Sequence, residues 1–141
     1  MRKTVAVDAS FLIALLDRKA RSESVAALIK DLSAQKAKVI IPNPVLAEVL
    51  THAPDAAPAY MTQINRCACF QVRPFDDKAS IELAQLLGTS VSNIRDILRF
   101  DRQIVAIAKV CEAAVLYADD QKVTEFAAES GLQAIRFRDL D

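Results

Sequence analysis

Five short runs rich in β-branched and other apolar residues punctuate the chain. Each of the first four leads into a stretch whose apolar residues return every three or four positions. The runs are Thr4-Val5-Ala6-Val7, Lys38-Val39-Ile40-Ile41, Phe70-Gln71-Val72-Arg73, 113–118 and 133–137. Strands that alternate with helices cannot be joined as hairpins, so they read as parallel neighbours linked by helical crossovers. The expected fold is an α/β protein, a three-layer α/β/α sandwich with a mainly parallel central sheet. Punctuation residues agree with this order. Ser22 can cap a helix carrying Val25, Leu28, Ile29 and Leu32. Pro42 and Pro44 close the second strand and open a helix marked by Val45, Leu46, Val49 and Leu50. Residues 52–58 read as a turn, and Asp76 or Asp77 opens a helix over 80–87 that stops at Gly88. Ser92 begins a long helix to about Val110, and Gly131 closes another over 122–129. No repeat, linker or low-complexity stretch intervenes, so one domain spans residues 1–141.

A chain of 141 residues, 52% of them apolar, can bury a core without disulfides or structural metal. Lysine plus arginine and aspartate plus glutamate each total 18, which counts against a nucleic-acid binder that works by bulk charge. A local basic rim around an acidic centre is compatible with that balance. Cys67, Cys69 and Cys111 cannot all pair, and the N-terminus carries no signal peptide, so a cytoplasmic location is expected. Cys67-x-Cys69 has no second pair and His52 is the sole histidine, which argues against zinc. The longest apolar run, 11–16, is too short to span a bilayer.

The informative residues are acids in apolar surroundings. Asp8 ends the first strand, at the carboxyl edge where parallel sheets bind ligands. Asp119 and Asp120 end the fourth strand on that same edge. Asp101 lies on an apolar helical stripe with Ile94, Ile97, Leu98, Ile104, Val105 and Ala108, where an unpaired charge costs several kcal/mol, roughly. Glu48 sits between Leu46 and Val49 in a helix with little other charge. Singly, each has an ordinary explanation: a helix cap for Asp8 and for the Asp119-Asp120 pair, a salt bridge at the stripe edge for Asp101, a solvent-facing position for Glu48. Together, two strand ends and two helices bring three or four carboxylates to one place. Clustered like charges repel unless a cation neutralises them, and an all-oxygen set suits Mg²⁺ or Mn²⁺. Metal-assisted hydrolysis of a phosphodiester uses this equipment. Arg95, Arg99 and Arg102, at i, i+4 and i+7, would share a helical face beside Asp101 and could hold a phosphate backbone. Lys109 and Lys122 are further basic candidates.

Four segments in order resemble the motifs of PIN domains, particularly VapC-type toxins. Val7-Asp8-Ala9-Ser10 looks like the first and Ile41 through Leu50, with Glu48 as its acid, is similar to the second. The segment from Phe100 to Ala108 resembles the third, with Asp101 in the metal-ligand position, and Leu116-Tyr117-Ala118-Asp119-Asp120 resembles the fourth. The resemblance covers the whole length. It departs at Ala118, where the family usually has a threonine, and this leaves Asp119 as a substitute for Asp120. It implies a Mg²⁺- or Mn²⁺-dependent endoribonuclease, with Asp8 and Asp101 as principal ligands and Glu48 and Asp120 completing the set. Ser10 could add a hydroxyl contact to the metal's water or to the substrate. The resemblance also implies an RNA substrate, a small antitoxin that enters the active-site groove, and frequent homodimers.

Two rivals remain at this point. A receiver-like phosphoacceptor would carry its acid pair after the first strand and a lone aspartate after a mid-chain one; here the pair Asp119-Asp120 comes late. A PIN-like domain without catalysis, serving as a protein- or RNA-binding module, would tolerate Ala118 but has no need of all four acids.

Overall fold

The computed structural model describes residues 2–89 and 93–140. The central strand is β1 (Thr4–Val7), paired on one side with β2 (Lys38–Pro42) and on the other with β4 (Val115–Tyr117). The sheet is completed by β3 (Phe70–Arg73) beyond β2 and β5 (Gln133–Ile135) beyond β4, in the order β3-β2-β1-β4-β5. All four pairings are parallel. The expectation of a mainly parallel sheet is therefore met in full. A chain that fills a parallel sheet outward from β1 in both directions, under the general right-handed rule for such crossovers, is expected to put helices on both faces.

Between β1 and β2 run α1 (Ala9–Leu16) and α2 (Glu23–Ala34), and between β2 and β3 run α3 (Asn43–His52) and α4 (Ala57–Arg66). Between β3 and β4 run α5 (Asp77–Leu87), α6 (Ile94–Ile97) and α7 (Phe100–Val110), and α8 (Gln121–Glu129) precedes β5. α1 contacts α2 and α3, α7 contacts α5 and α8, and α3 also meets α7, so the helices that carry Glu48 and Asp101 touch. Local chemistry sets several starts. Ser22, Asp76 and Asp120 each accept a hydrogen bond from a backbone N–H in the first turn of the helix they precede. Gly88 ends α5 with φ of +57°, a conformation costly for a residue with a Cβ.

Two strands are shorter than the sequence suggests. The fourth covers only Val115–Tyr117, and the fifth stops at Ile135. Phe137 instead enters a 3₁₀ turn, Phe137–Leu140, and packs its ring edge-on against Phe11 with centroids 5.7 Å apart. Phe11 also lies 5.8 Å from the ring of Tyr117, so one buried aromatic ties α1 to the end of β4 and to the C-terminal turn.

The larger correction concerns the long helix expected up to Val110. Its proposed start, Ser92, lies outside the described residues, and the helix is broken between Leu98 and Arg99. Arg99 is extended, with φ −57° and ψ 141°, and α7 starts afresh at Phe100. The upstream half of the apolar stripe has little to pack on: Ile94 is 68% and Leu98 45% exposed, whereas Ile104, Val105 and Ala108 are buried. Without burial to reward continuity, the chain turns. The Gln103 amide and an Arg102 guanidinium N–H donate to the carbonyls of Leu98 and Asp96, satisfying backbone acceptors near the end of α6.

Phe11→Ala is expected to destabilise the protein by about 3–5 kcal/mol, since it empties a fully buried site shared by three elements. A large fall in the urea midpoint at unchanged slope would show this; a shift of under about 1 kcal/mol would contradict the packing role.

Candidate active site

At the switch point between β1 and β4, where the chain leaves the two strands toward opposite faces, an open cavity of about 690 Å³ lies at their carboxyl ends. Asp8, Glu48, Asp101 and Asp120 all line it, contributed by the end of β1, by α3, by α7 and by the start of α8. Four of the sequence candidates thus meet in one place.

Asp8 is the most constrained of them, with only 2% of its surface exposed. Its backbone N–H donates to the Tyr117 carbonyl at 3.1 Å, which extends the β1–β4 ladder by one residue. Its side chain caps α1: Oδ1 accepts the Phe11 N–H at 2.9 Å. The Ser10 hydroxyl lies 2.7 Å from Oδ1 and 2.9 Å from Oδ2, and itself accepts the Asp119 N–H at 3.3 Å. The cap and the site residue are one and the same. Burial raises the Asp8 carboxyl from 3.8 to about 6, against the lowering effect of the Ser10 hydroxyl and of the Phe11 and Asp120 backbone; the Asp120 charge adds to the rise.

Asp101 is buried in the first turn of α7, where the helix dipole favours an acid. Arg99 holds it with two hydrogen bonds, Nε to Oδ1 and Nη2 to Oδ2, each 3.0 Å. Glu48 is exposed, as its ordinary reading had it, yet it faces the cavity. Asp120 caps α8 by accepting the Val123 N–H at 3.0 Å and keeps an exposed edge on the cavity. Asp119 does not line the cavity. It is paired with Arg138, whose Nε is 3.2 Å from Oδ2 and whose N–H donates to Oδ1. The structure therefore brings Asp120, and not Asp119, to the other acids.

The arginines are not arranged as the sequence implied. A shared face at i, i+4 and i+7 needs one continuous helix, and the break before α7 removes it. Arg99 is engaged by Asp101, and Arg102 lies 5.8 Å over the Phe126 ring with its Nε buried and unpartnered. Arg95 is exposed on α6, and none of the three lines the cavity. Lys109 is structural, donating to the Ser130 carbonyl beside Glu82. Lys122 does line the cavity.

Sequence reasoning missed His52, Thr51 and Phe100 as cavity residues. Glu48, Thr51 and His52 at i, i+3 and i+4 share one face of α3, a signal that was available. The partner of His52 was not: its Nε2 lies 3.2 Å from Oδ2 of Asp17, 35 residues away at the end of α1. The Lys19 N–H, and then His52, hold the Asp17 carboxyl below its usual value.

Among the described residues no three acids, histidines or cysteines stand close enough to enclose an ion. A closed cage is not what Mg²⁺ needs. It dehydrates reluctantly and is held through one or two carboxylates, with waters and substrate phosphates supplying the rest. An open pocket whose acids, Asp8, Glu48, Asp101 and Asp120, offer oxygen donors around a carboxylate that is costly to ionise when bare fits such a cation.

The PIN domain family model matches residues 5–141. No curated protein matches the chain in sequence. Several solved structures share its fold. One is VapBC2 from Rickettsia felis bound to a DNA fragment from their promoter, with a TM-score of 0.65 at 13% identity, over 94% of this chain and 97% of that chain. DNA-bound VapBC from Salmonella typhimurium gives 0.65 at 16%, over 97% and 99%. VapBC-5 from Mycobacterium tuberculosis, a member of the VapBC family of toxin-antitoxin systems, gives 0.56 at 24%, over 94% and 98%. At these identities the likeness is one of fold.

A pH-dependence follows from Asp8. Its folded value, about 6, lies above its ordinary 3.8, so between these the folded state holds more protons than the unfolded one. The stability that Asp8 contributes to the cation-free protein should be fully present below about pH 4 and lost as pH rises through about 6, roughly 3 kcal/mol from this group. Asp8→Asn, which keeps a capping oxygen, should therefore melt higher than wild type in EDTA at pH 8, with the advantage gone near pH 4. Thermal melts across that range check it; equal melting at pH 8 would contradict the cost assigned to Asp8.

Proposed function

Because the chain belongs to the PIN-domain family, we propose that it is a metal-dependent endoribonuclease, the toxin of a toxin–antitoxin pair. The observation that carries the reading is the convergence of Asp8, Glu48, Asp101 and Asp120, from four separate elements, on one open cavity at the switch point of the sheet. Asp8 and Asp101 would hold Mg²⁺ or Mn²⁺, with Glu48 and Asp120 completing the oxygen set. The cation, when bound, supplies an activated water and neutralises charge on the scissile phosphate.

The chain's own residues prepare that chemistry. The Ser10 hydroxyl and the Phe11 N–H fix the Asp8 carboxylate, so its orientation is set before any ligand arrives. Lys122 and His52 line the cavity from α8 and α3 and can meet a phosphate backbone. Phe100 is 58% exposed at the same cavity and offers a face on which an unpaired base can stack. Ser10, which lines the cavity, is a proposed substrate contact; Arg95, Arg99 and Arg102, proposed as contacts from helical spacing, lie outside its lining, and Arg102 is held by the Asp96 carbonyl and over Phe126. The antitoxin partner is supported by the VapBC assemblies that share the fold. Among the described residues no helix is long and apolar enough to cross a membrane.

A second reading, a PIN-like module that binds RNA or protein without cleaving, draws on one observation: Asp101 already has a counter-ion in Arg99. Cleavage decides between them. The purified protein, given total RNA with Mg²⁺ or Mn²⁺, is expected to yield discrete fragments that EDTA abolishes. Asp8→Asn and Asp101→Asn should each lower the rate by at least about 100-fold, as loss of a metal contact does. RNA retained but uncut under every metal condition would favour the binding module.

A further inference from the structure

Asp101 is a proposed metal ligand, yet its carboxylate is already engaged. Both oxygens accept a guanidinium N–H of Arg99 at 3.0 Å, a fork-to-carboxylate match that is the strongest kind of side-chain pairing. The pairing exists because the chain breaks ahead of α7. In a continuous helix, residues i and i+2 point to different sides, but the extended backbone of Arg99 folds its side chain back over the first turn. The two partners differ in freedom. The Asp101 side chain is 10% exposed and fixed in α7, while that of Arg99 is 36% exposed.

We propose that Arg99 is an internal counter-ion, holding Asp101 in the cation-free protein and surrendering it when a divalent cation enters. Guanidinium and metal then compete for the same two oxygens. The inference rests on the nuclease reading and deepens it. A buried carboxylate left bare is strongly destabilising, so a partner is needed whenever the metal is absent. Arg102 cannot serve, being held by the Asp96 carbonyl and over Phe126. The neighbours of Arg99 in the chain, Phe100 and Asp101, both line the cavity, so a displaced Arg99 guanidinium would start beside it, where a planar bidentate donor suits a phosphate. The same side chain thus acts as stand-in for the cation and then as contact for the substrate.

Calorimetric titration of Mn²⁺ into wild type, Arg99→Gln, Arg99→Lys and Asp101→Asn tests this. Arg99→Gln should bind Mn²⁺ about tenfold more tightly than wild type, the scale of one charge-assisted hydrogen bond. Arg99→Lys, which keeps charge but loses the fork, should fall between them. Mn²⁺ should also raise the melting temperature of Arg99→Gln by more than that of wild type, because the ion replaces the lost counter-charge. In wild type, the Arg99 Nε–H NMR signal should lose its protection from solvent exchange on adding Mg²⁺. Unchanged or weaker Mn²⁺ binding in both Arg99 variants, with wild-type binding that Asp101→Asn abolishes, overturns the counter-ion and leaves the nuclease reading standing. No Mn²⁺ binding by any of the proteins overturns both.

Discussion

The carboxylate of Asp8 stands at the end of the central strand, almost wholly out of water, and the molecule is built around keeping it there. A buried charge is unfavourable unless every oxygen is satisfied. Here the Phe11 N–H and the Ser10 hydroxyl supply the bonds, and both belong to the helix that Asp8 itself caps. Ser10 in turn accepts from the Asp119 N–H, so the end of β1 and the end of β4 share one hydrogen-bonded chain. The backbone bond from Asp8 to Tyr117 runs alongside it. Strand pairing, helix initiation and site geometry are thus settled by the same few atoms.

The remaining acids show how the fold assembles charge without collapsing it. Each sits at a place where a helix or its first turn tolerates a negative group. Asp120 caps α8, Asp101 lies in the first turn of α7, and Glu48 stays on the exposed face of α3. The sheet brings these termini together because parallel strands deliver their helices from one edge. Among the described residues no three of these groups crowd closely enough to enclose an ion, and Arg99 offsets the charge of Asp101, the most buried of the three. Such an arrangement trades stability for function: groups placed to receive a cation are groups the bare fold must otherwise compensate.

The break before α7 is the clearest case of tertiary structure overriding local pattern. The apolar stripe from Ile94 to Ala108 has helical period throughout, and nothing local forbids one long helix. What the pattern omits is whether a surface exists for the stripe to pack on. It does for Ile104 and Val105, and it does not for Ile94 and Leu98. The turn that results reorients Arg99 and Arg102, which is why the basic face drawn from helical spacing is absent and an ion pair with Asp101 stands in its place.

By itself the sequence determined the order of strands and helices, their parallel arrangement, and the identity of the acids at strand ends and first turns. These follow from periodicity and capping chemistry, which act over a few residues. The motif resemblance added the PIN family on the same residues. Which of Asp119 and Asp120 faces the cavity was decided only in three dimensions, because the choice depends on Arg138 at the far end of the chain. The same holds for His52 with Asp17 and for Phe137, which leaves the last strand to reach Phe11. Such contacts join residues distant in sequence, and their energy depends on geometry that no local pattern encodes. Short-range preference drew the elements; long-range packing and pairing chose which side chains they turn toward one another.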